Sequence, residues 1–134
     1  MEHEATLADV KTNRVVRLEK TKTVYEAAHL MKGENVSSVV VLDGNAICGI
    51  LTEGDIVRKV VCGELNPRET LLDAVMSSPV HTIDAGKTVT DAARMMRDKK
   101  VKKLVVVEGR EVSGIISEHD IVDILPALFS PKKI

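Results

Sequence analysis

The feature that most constrains this chain is an internal repeat. Displaced along itself by 65 positions, the sequence aligns residues 23–60 with 88–125 without a gap, and 15 of the 38 paired positions are identical. Average composition would give about two or three matches over such a span. The identities include Thr23/Thr88, Ala27/Ala92, Ala28/Ala93, Met31/Met96, Gly44/Gly109, Gly49/Gly114 and Asp55/Asp120. The match continues weakly upstream through Leu7/Leu72, Val10/Val75, Val15/Val80 and Lys22/Lys87. Two copies are too few for a solenoid, and half of a 134-residue chain buries its apolar faces poorly alone. The expectation is two units, 1–66 with the N-terminal segment and 67–134 with the C-terminal tail, packed face to face about a pseudo-two-fold axis.

Each copy carries the same order of patterns. In the first, Val15-Val16-Arg17-Leu18 reads as a short strand. Thr23 and Glu26 form a capping box opening a helix with apolar residues at 24, 27, 28 and 31, and Gly33 is the expected stop. Val36–Leu42 and Ile47–Leu51 make a hairpin about Asp43-Gly44. A second helix runs from Thr52 to about Cys62, with Ile56, Val57, Val60 and Val61 apolar and Gly63 at its end. Asn66-Pro67-Arg68-Glu69 is a linker. The second copy reads as a short helix over about 70–76, a strand over Val80–Ile83, a Thr88-capped helix with Asp91 at its third position, and a hairpin from Val101 to Ile116 about Glu108-Gly109. A final helix starts near Ser117, and Pro126 is expected to end or kink it. Residues 1–12 have a weak helical pattern, and the tail Ala127-Leu128-Phe129 is expected to be exposed. The fold class is α/β in the α+β sense, a tandem of β-α-β-β-α units.

Composition narrows the function. Tyr25 and Phe129 are the two aromatic residues, so a flat ligand would be gripped by aliphatic side chains and backbone. That argues against a stacking platform for single-stranded nucleic acid, and a net charge of -1 gives no global attraction to nucleic acid or anionic membranes. Cys48 and Cys62 have no metal-ligand spacing and read as reduced, buried thiols of a cytoplasmic protein. No leader is evident, and no apolar run approaches the roughly 18 residues of a membrane span. His3, His29, His81 and His119 show no metal-ligand pairing. No nucleophile with its base, carboxylate pair or metal cluster stands out, so an enzyme is not expected.

The stretch Gly49-Ile50-Leu51-Thr52-Glu53-Gly54-Asp55 returns as Gly114-Ile115-Ile116-Ser117-Glu118-His119-Asp120. Read physically, a strand stops, the chain makes a glycine turn, and a helix begins with the hydroxyl at its N-cap and the aspartate at its third position. Such a helix start presents backbone N–H groups and partial positive charge, which suit a phosphate. The same pattern can serve capping alone, as Thr23-x-x-Glu26 and Thr88-x-x-Asp91 do, and both roles can hold at once. Lys99, Lys100, Lys102 and Lys103 surround Val101, where the first copy has Glu34, Asn35, Ser37 and Ser38. They read either as a solvated helix end or, for Lys102 and Lys103, as a phosphate-facing patch.

A duplicated β-α-β-β-α unit whose hairpin ends in Gly-h-x-Thr/Ser-x-x-Asp, with h apolar, resembles the cystathionine β-synthase (CBS) domain. The resemblance covers nearly the whole chain. It implies a compact pair with two symmetry-related clefts, often dimerising into a disc, that binds AMP, ADP, ATP or S-adenosylmethionine and regulates a partner protein without catalysis. It further implies that the aspartate holds ribose hydroxyls, the Thr/Ser binds phosphate, and the base lies against strands of the other unit. On this chain, one cleft would use Thr52 and Asp55 with Val80, His81, Thr82, Lys102 and Lys103 opposite. The other would use Ser117 and Asp120 with Val15, Val16, Arg17, Ser37 and Ser38 opposite. The resulting expectation is a homodimeric adenine-nucleotide sensor acting in trans on an effector protein, in which a ligand bridging both units favours one orientation of the pair. The lysines would give the first cleft a preference for more phosphates. The alternatives are an interaction protein with vestigial clefts and, on the lysine cluster alone, a nucleic-acid binder.

Overall fold

Val39, Val40 and Val41 are β-branched, consecutive and fully buried, as a strand covered on both faces requires. They form the middle of β2 (Ser38–Asp43) in a three-stranded sheet of order β1-β2-β3, where β1 (Arg17–Glu19) runs parallel to β2 and β3 (Ala46–Thr52) antiparallel. The chain is seen in a computed structural model that describes residues 4–10 and 14–128. Between β1 and β2 lies α1 (Val24–Glu34), which turns Val24, Ala27 and Met31 into the core. Thr23 caps it with the expected box: its hydroxyl accepts from the Glu26 N–H (3.2 Å) and the Glu26 carboxylate accepts from the Thr23 N–H (2.9 Å). The helix runs past Gly33, because Asn35 adopts the left-handed conformation (φ 54°) and returns its N–H to the Met31 and Lys32 carbonyls. Asparagine tolerates that geometry, so no glycine is needed.

After β3 the chain enters α2 (Glu53–Asp55), which passes directly into a π-helical stretch, Ile56–Val61. Val60 is buried there, whereas Val57 and Val61 are exposed. A β-carbon on Gly63 would lie 2.2 Å from the Lys59 carbonyl oxygen, so the wider turn closes over a glycine. The linker leads to α3 (Leu72–Val75).

The second copy repeats this in a second sheet, β4-β5-β6, built from β4 (Thr82–Asp84), β5 (Lys103–Glu108) and β6 (Glu111–Ser117), with α4 (Val89–Lys99) between β4 and β5 and α5 (Glu118–Leu128) last. The duplication extends to register: Arg17↔Val40 and Ser38↔Thr52 are matched by Thr82↔Val105 and Lys103↔Ser117, with irregularities at Val41/Leu42 and Val106/Val107. Lys100, at φ 58°, caps α4 as Asn35 caps α1. The backbone stays helical through Pro126 to Leu128, so that proline does not end α5. Phe129 and the end of the tail lie outside the described residues.

Packing divides the chain differently from the 1–66 and 67–134 boundaries of the repeat. Val15–Val80 form one compact unit, and the described residues before Val15 group with those from His81 onward. The leading segment of each copy is thus built into the other copy's core. Leu71 bridges Thr23, and the N–H groups of Leu72 and Asp73 reach the carbonyls of Lys22 (2.9 Å) and Lys20 (3.4 Å). Correspondingly, Thr6 bridges Thr88, and Leu7 and Ala8 donate to Lys87 (2.8 Å) and Ala85 (2.9 Å). Leu72 and Val75 fill a core with Val16, Val24, Val39 and Leu51, while Leu7 packs with Ile83, Val89, Leu104 and Ile116. The segment around Thr6–Val10 is a turn anchored by these bonds; the weak helical pattern is not realised in its described part.

Candidate functional site

In each unit the antiparallel hairpin brings the end of its last strand back beside the start of the strand before it. Thr52 pairs with Ser38, and the Glu53 N–H donates to the Ser37 carbonyl (3.2 Å). Because β1 is parallel to β2, its start lies at the same end, where Val40 donates to the Val16 carbonyl (2.8 Å). One sheet end therefore gathers Val15, Val16, Arg17, Ser37, Ser38, Thr52 and Asp55. In the other unit Ser117 pairs with Lys103, Glu118 donates to the Lys102 carbonyl (2.8 Å) and Val105 to the His81 carbonyl (3.0 Å). That end gathers His81, Thr82, Lys102, Lys103, Ser117 and Asp120. Within a unit the two lysines border Ser117, not Thr52. Val80 is half-buried in the unit that also holds Thr52 and Asp55.

Both motifs form capping boxes. The Thr52 hydroxyl accepts from Asp55 N (3.1 Å) while the Asp55 carboxylate accepts from Thr52 N (3.0 Å); the Ser117–Asp120 pair does the same at 3.0 and 2.8 Å. Two first-turn donors of α5 are thereby used, that of Glu118 on Lys102 and that of Asp120 on Ser117. Neither motif glycine makes a turn: Gly49 and Gly114 lie inside β3 and β6, which run on to Thr52 and Ser117. At Gly49 the requirement is close approach. A β-carbon there would stand 2.3 Å from the Met76 sulfur and 3.1 Å from the Ser77 carbonyl. Ser77 exchanges two backbone bonds with Ile50 (2.8 and 3.0 Å), extending the sheet by one bridge.

The two aspartates differ in setting. Asp55 is 1% exposed. Its carboxylate also accepts the Ser77 hydroxyl (2.8 Å) and lies 3.1 Å from the Lys59 ammonium, which in turn donates to the Val75 carbonyl (3.0 Å). Burial raises its pKa, but the Thr52 N–H, the Ser77 hydroxyl and the Lys59 charge together outweigh burial and hold the carboxyl below its ordinary value. Asp120 is partly exposed, and Ile124 occupies the position of Lys59. Ser77 and Lys59 escaped the sequence reading because neither belongs to the motif; the signal was a lysine one helical turn after Asp55 that the second copy lacks. Cys48 is half-buried and Cys62 exposed, so the expectation of two buried thiols fails at Cys62, which lies just beyond the π-helical stretch. Among the described residues, no cluster of three or more His, Cys, Asp or Glu is placed to hold a metal, and no helix is long and apolar enough to cross a membrane.

Comparison with known proteins places this architecture. The CBS domain family profile matches twice, over residues 7–62 and 72–127. The chain belongs to the CBS domain family, as a tandem pair. It is 32% identical to an uncharacterized protein of Methanopyrus kandleri over 91% of this chain and 63% of that protein. It spans less than two thirds of the length of that relative and of several other curated relatives. Among solved structures, the hexameric CBS-CP12 protein from bloom-forming cyanobacteria superposes with a TM-score of 0.86 at 26% identity, covering 98% of this chain and 78% of that one. The CBS domain pair of protein MJ0100, solved in complex with 5'-methylthioadenosine and S-adenosyl-L-methionine, shares the fold at a TM-score of 0.81 and 19% identity, covering 95% of this chain and all of that one. Both matches to the family begin in the leading segments, at Leu7 and Leu72.

Proposed function

We propose that the chain is a regulatory module that binds an adenosine ligand, AMP, ADP, ATP or S-adenosylmethionine, and passes the binding event to a partner protein. The observation that carries this is the sheet end at Ser117. There a hydroxyl, a helix N-terminus and a partly exposed carboxylate meet beside Lys102 and Lys103. A carboxylate can accept two hydrogen bonds from a vicinal diol, and ammonium groups with a helix N-terminus suit phosphate oxygens. Membership of a family whose pairs commonly bind adenosine ligands supports the reading. The role is that of a sensor: the ligand favours one conformation, by no more than its difference in affinity between the two states. Exposed Val57, Val61 and Val122 offer apolar surface for a second copy or an effector.

Thermal unfolding with AMP, ADP, ATP and S-adenosylmethionine tests it. A ligand at about 100 times its Kd adds roughly 2.7 kcal/mol, a rise of several degrees for a domain of this size. A selective rise is expected. A flat response from folded, nucleotide-free protein would favour an interaction module instead.

A further inference from the structure

We propose that Cys48 and Met76 form a binding site for a soft monovalent cation, Cu(I), which ties the segment after α3 to β3. The two sulfurs lie 3.9 Å apart within the Val15–Val80 unit. The Cys48 thiol donates toward the Met76 thioether and, at 3.5 Å, toward the Val41 carbonyl. The two residues are 28 positions apart in sequence, and two features of the backbone bring them together. On the strand side, Val41 pairs with Gly49 and Leu42 with Ile47, which leaves Cys48 as the extra residue of a β-bulge. A bulge re-aims its side chain out of the regular alternation. On the other side, Gly49 leaves the recess that Met76 fills, since a β-carbon there would collide with the Met76 Sδ and Cγ. Ser77 exchanges two backbone bonds with Ile50, so the thioether is held in place by its neighbour. Both side chains are half-buried, packed against the core of their unit yet open enough for an ion to enter.

Thiolate and thioether are soft donors, and soft donors select Cu(I) over harder divalent ions. An ion bonded to both sulfurs at about 2.3 Å, the usual length of a zinc–thiolate bond, would subtend an angle of about 120° across their 3.9 Å separation. That is the bend of a three-coordinate ion whose third donor, water or a small thiol, comes from solution. Structural zinc takes four protein donors. Among the described residues no cluster of three or more His, Cys, Asp or Glu is placed to supply them. Binding exchanges a cation for a proton: the Cys48 thiol and Cu(I) give a Cys48 thiolate–Cu(I) bond and a proton released to solvent, with no change of oxidation state. The bound ion crosslinks β3 to Met76, beside the bridge that Ser77 makes with Ile50. Neither sulfur belongs to the sheet end at Ser117, so this site is independent of adenosine binding there.

Cys62 is an exposed thiol able to bind Cu(I) by itself, so the test uses the full chain carrying Cys62→Ser. Reduced protein is titrated without oxygen against Cu(I) held by a chromophoric chelator, whose absorbance reports the transfer. The expected result is one Cu(I) per chain, with a rise in Tm. Adding Met76→Leu, a swap of similar volume, lowers the affinity at least about tenfold, since losing even an outer partner of a ligand costs about 10–100-fold. Adding Cys48→Ser removes binding. Serine suits that place, because Ser113 is the extra residue of the matching bulge in the second copy and donates to the Val106 carbonyl (3.3 Å). A Cys62→Ser protein that takes no Cu(I) from the chelator overturns the proposal. So does a folded Met76→Leu protein of undiminished affinity, in which Cys48 would be binding as a lone thiol.

Discussion

Replacing Leu72 by alanine should unlock the unit built on the first repeat, although Leu72 belongs to the second. Leu72 is fully buried and packs in one core with Val16, Val24, Val39 and Leu51. Truncating a buried leucine costs about 2–5 kcal/mol, the transfer term plus the cavity left behind. At about 3 kcal/mol the loss should lower Tm by roughly 10 °C in a chain of this length. The informative readout is native-state hydrogen exchange followed by peptide. Protection should fall most in β2, at Val39–Val41, and in α1. The counterpart Leu7→Ala should shift the loss to β5 and α4, since Leu7 packs with Leu104 and Val89. If Leu72→Ala instead loosens Leu104–Val106 and spares Val39–Val41, or if Tm moves by less than about 1 °C, the exchanged packing of the leading segments is refuted.

Three further outcomes follow. Because the folded Asp55 pKa lies below its ordinary value, the carboxylate contributes stability that is fully present above the unfolded pKa of about 4 and is lost as pH falls through the lower folded value; a Tm-versus-pH series should therefore steepen below about pH 4, and Ser77→Ala should flatten that acid limb. Gly49→Ala should cost about 1–3 kcal/mol in urea unfolding, since its methyl would meet the Met76 sulfur and Ser77 carbonyl, whereas the same change at Gly33, which has open space around it, should stay within about 1 kcal/mol. Cys62, being exposed, should react with a thiol reagent in the native state well before half-buried Cys48; equal rates would contradict the placement of the two thiols.

Local chemistry was legible in the sequence, and long-range closure was not. The capping boxes at Thr23 and Thr88, the hairpin turns at Gly44 and Gly109 and the core methionines Met31 and Met96 follow from spacing within a few residues, and the structure has all of them. The first helix ends at Asn35 instead of at Gly33 because a left-handed cap need not be glycine. The exchange of leading segments leaves no local trace: Leu7 and Val10, like Leu72 and Val75, are three apart whichever core receives them. The burial of Asp55 depends on Ser77, 22 positions away, so the motif alone could not reveal that this carboxylate is engaged within its own unit. Gly49 makes no turn; it admits Met76 and Ser77 against β3, a contact that the sequence pattern does not encode.

The most direct test of the account is an amide chemical-shift map of the chain titrated with ATP. Saturable shifts centred on Lys102–Lys103 and Ser117–Asp120 are expected. No shift at any of these residues would contradict the reading.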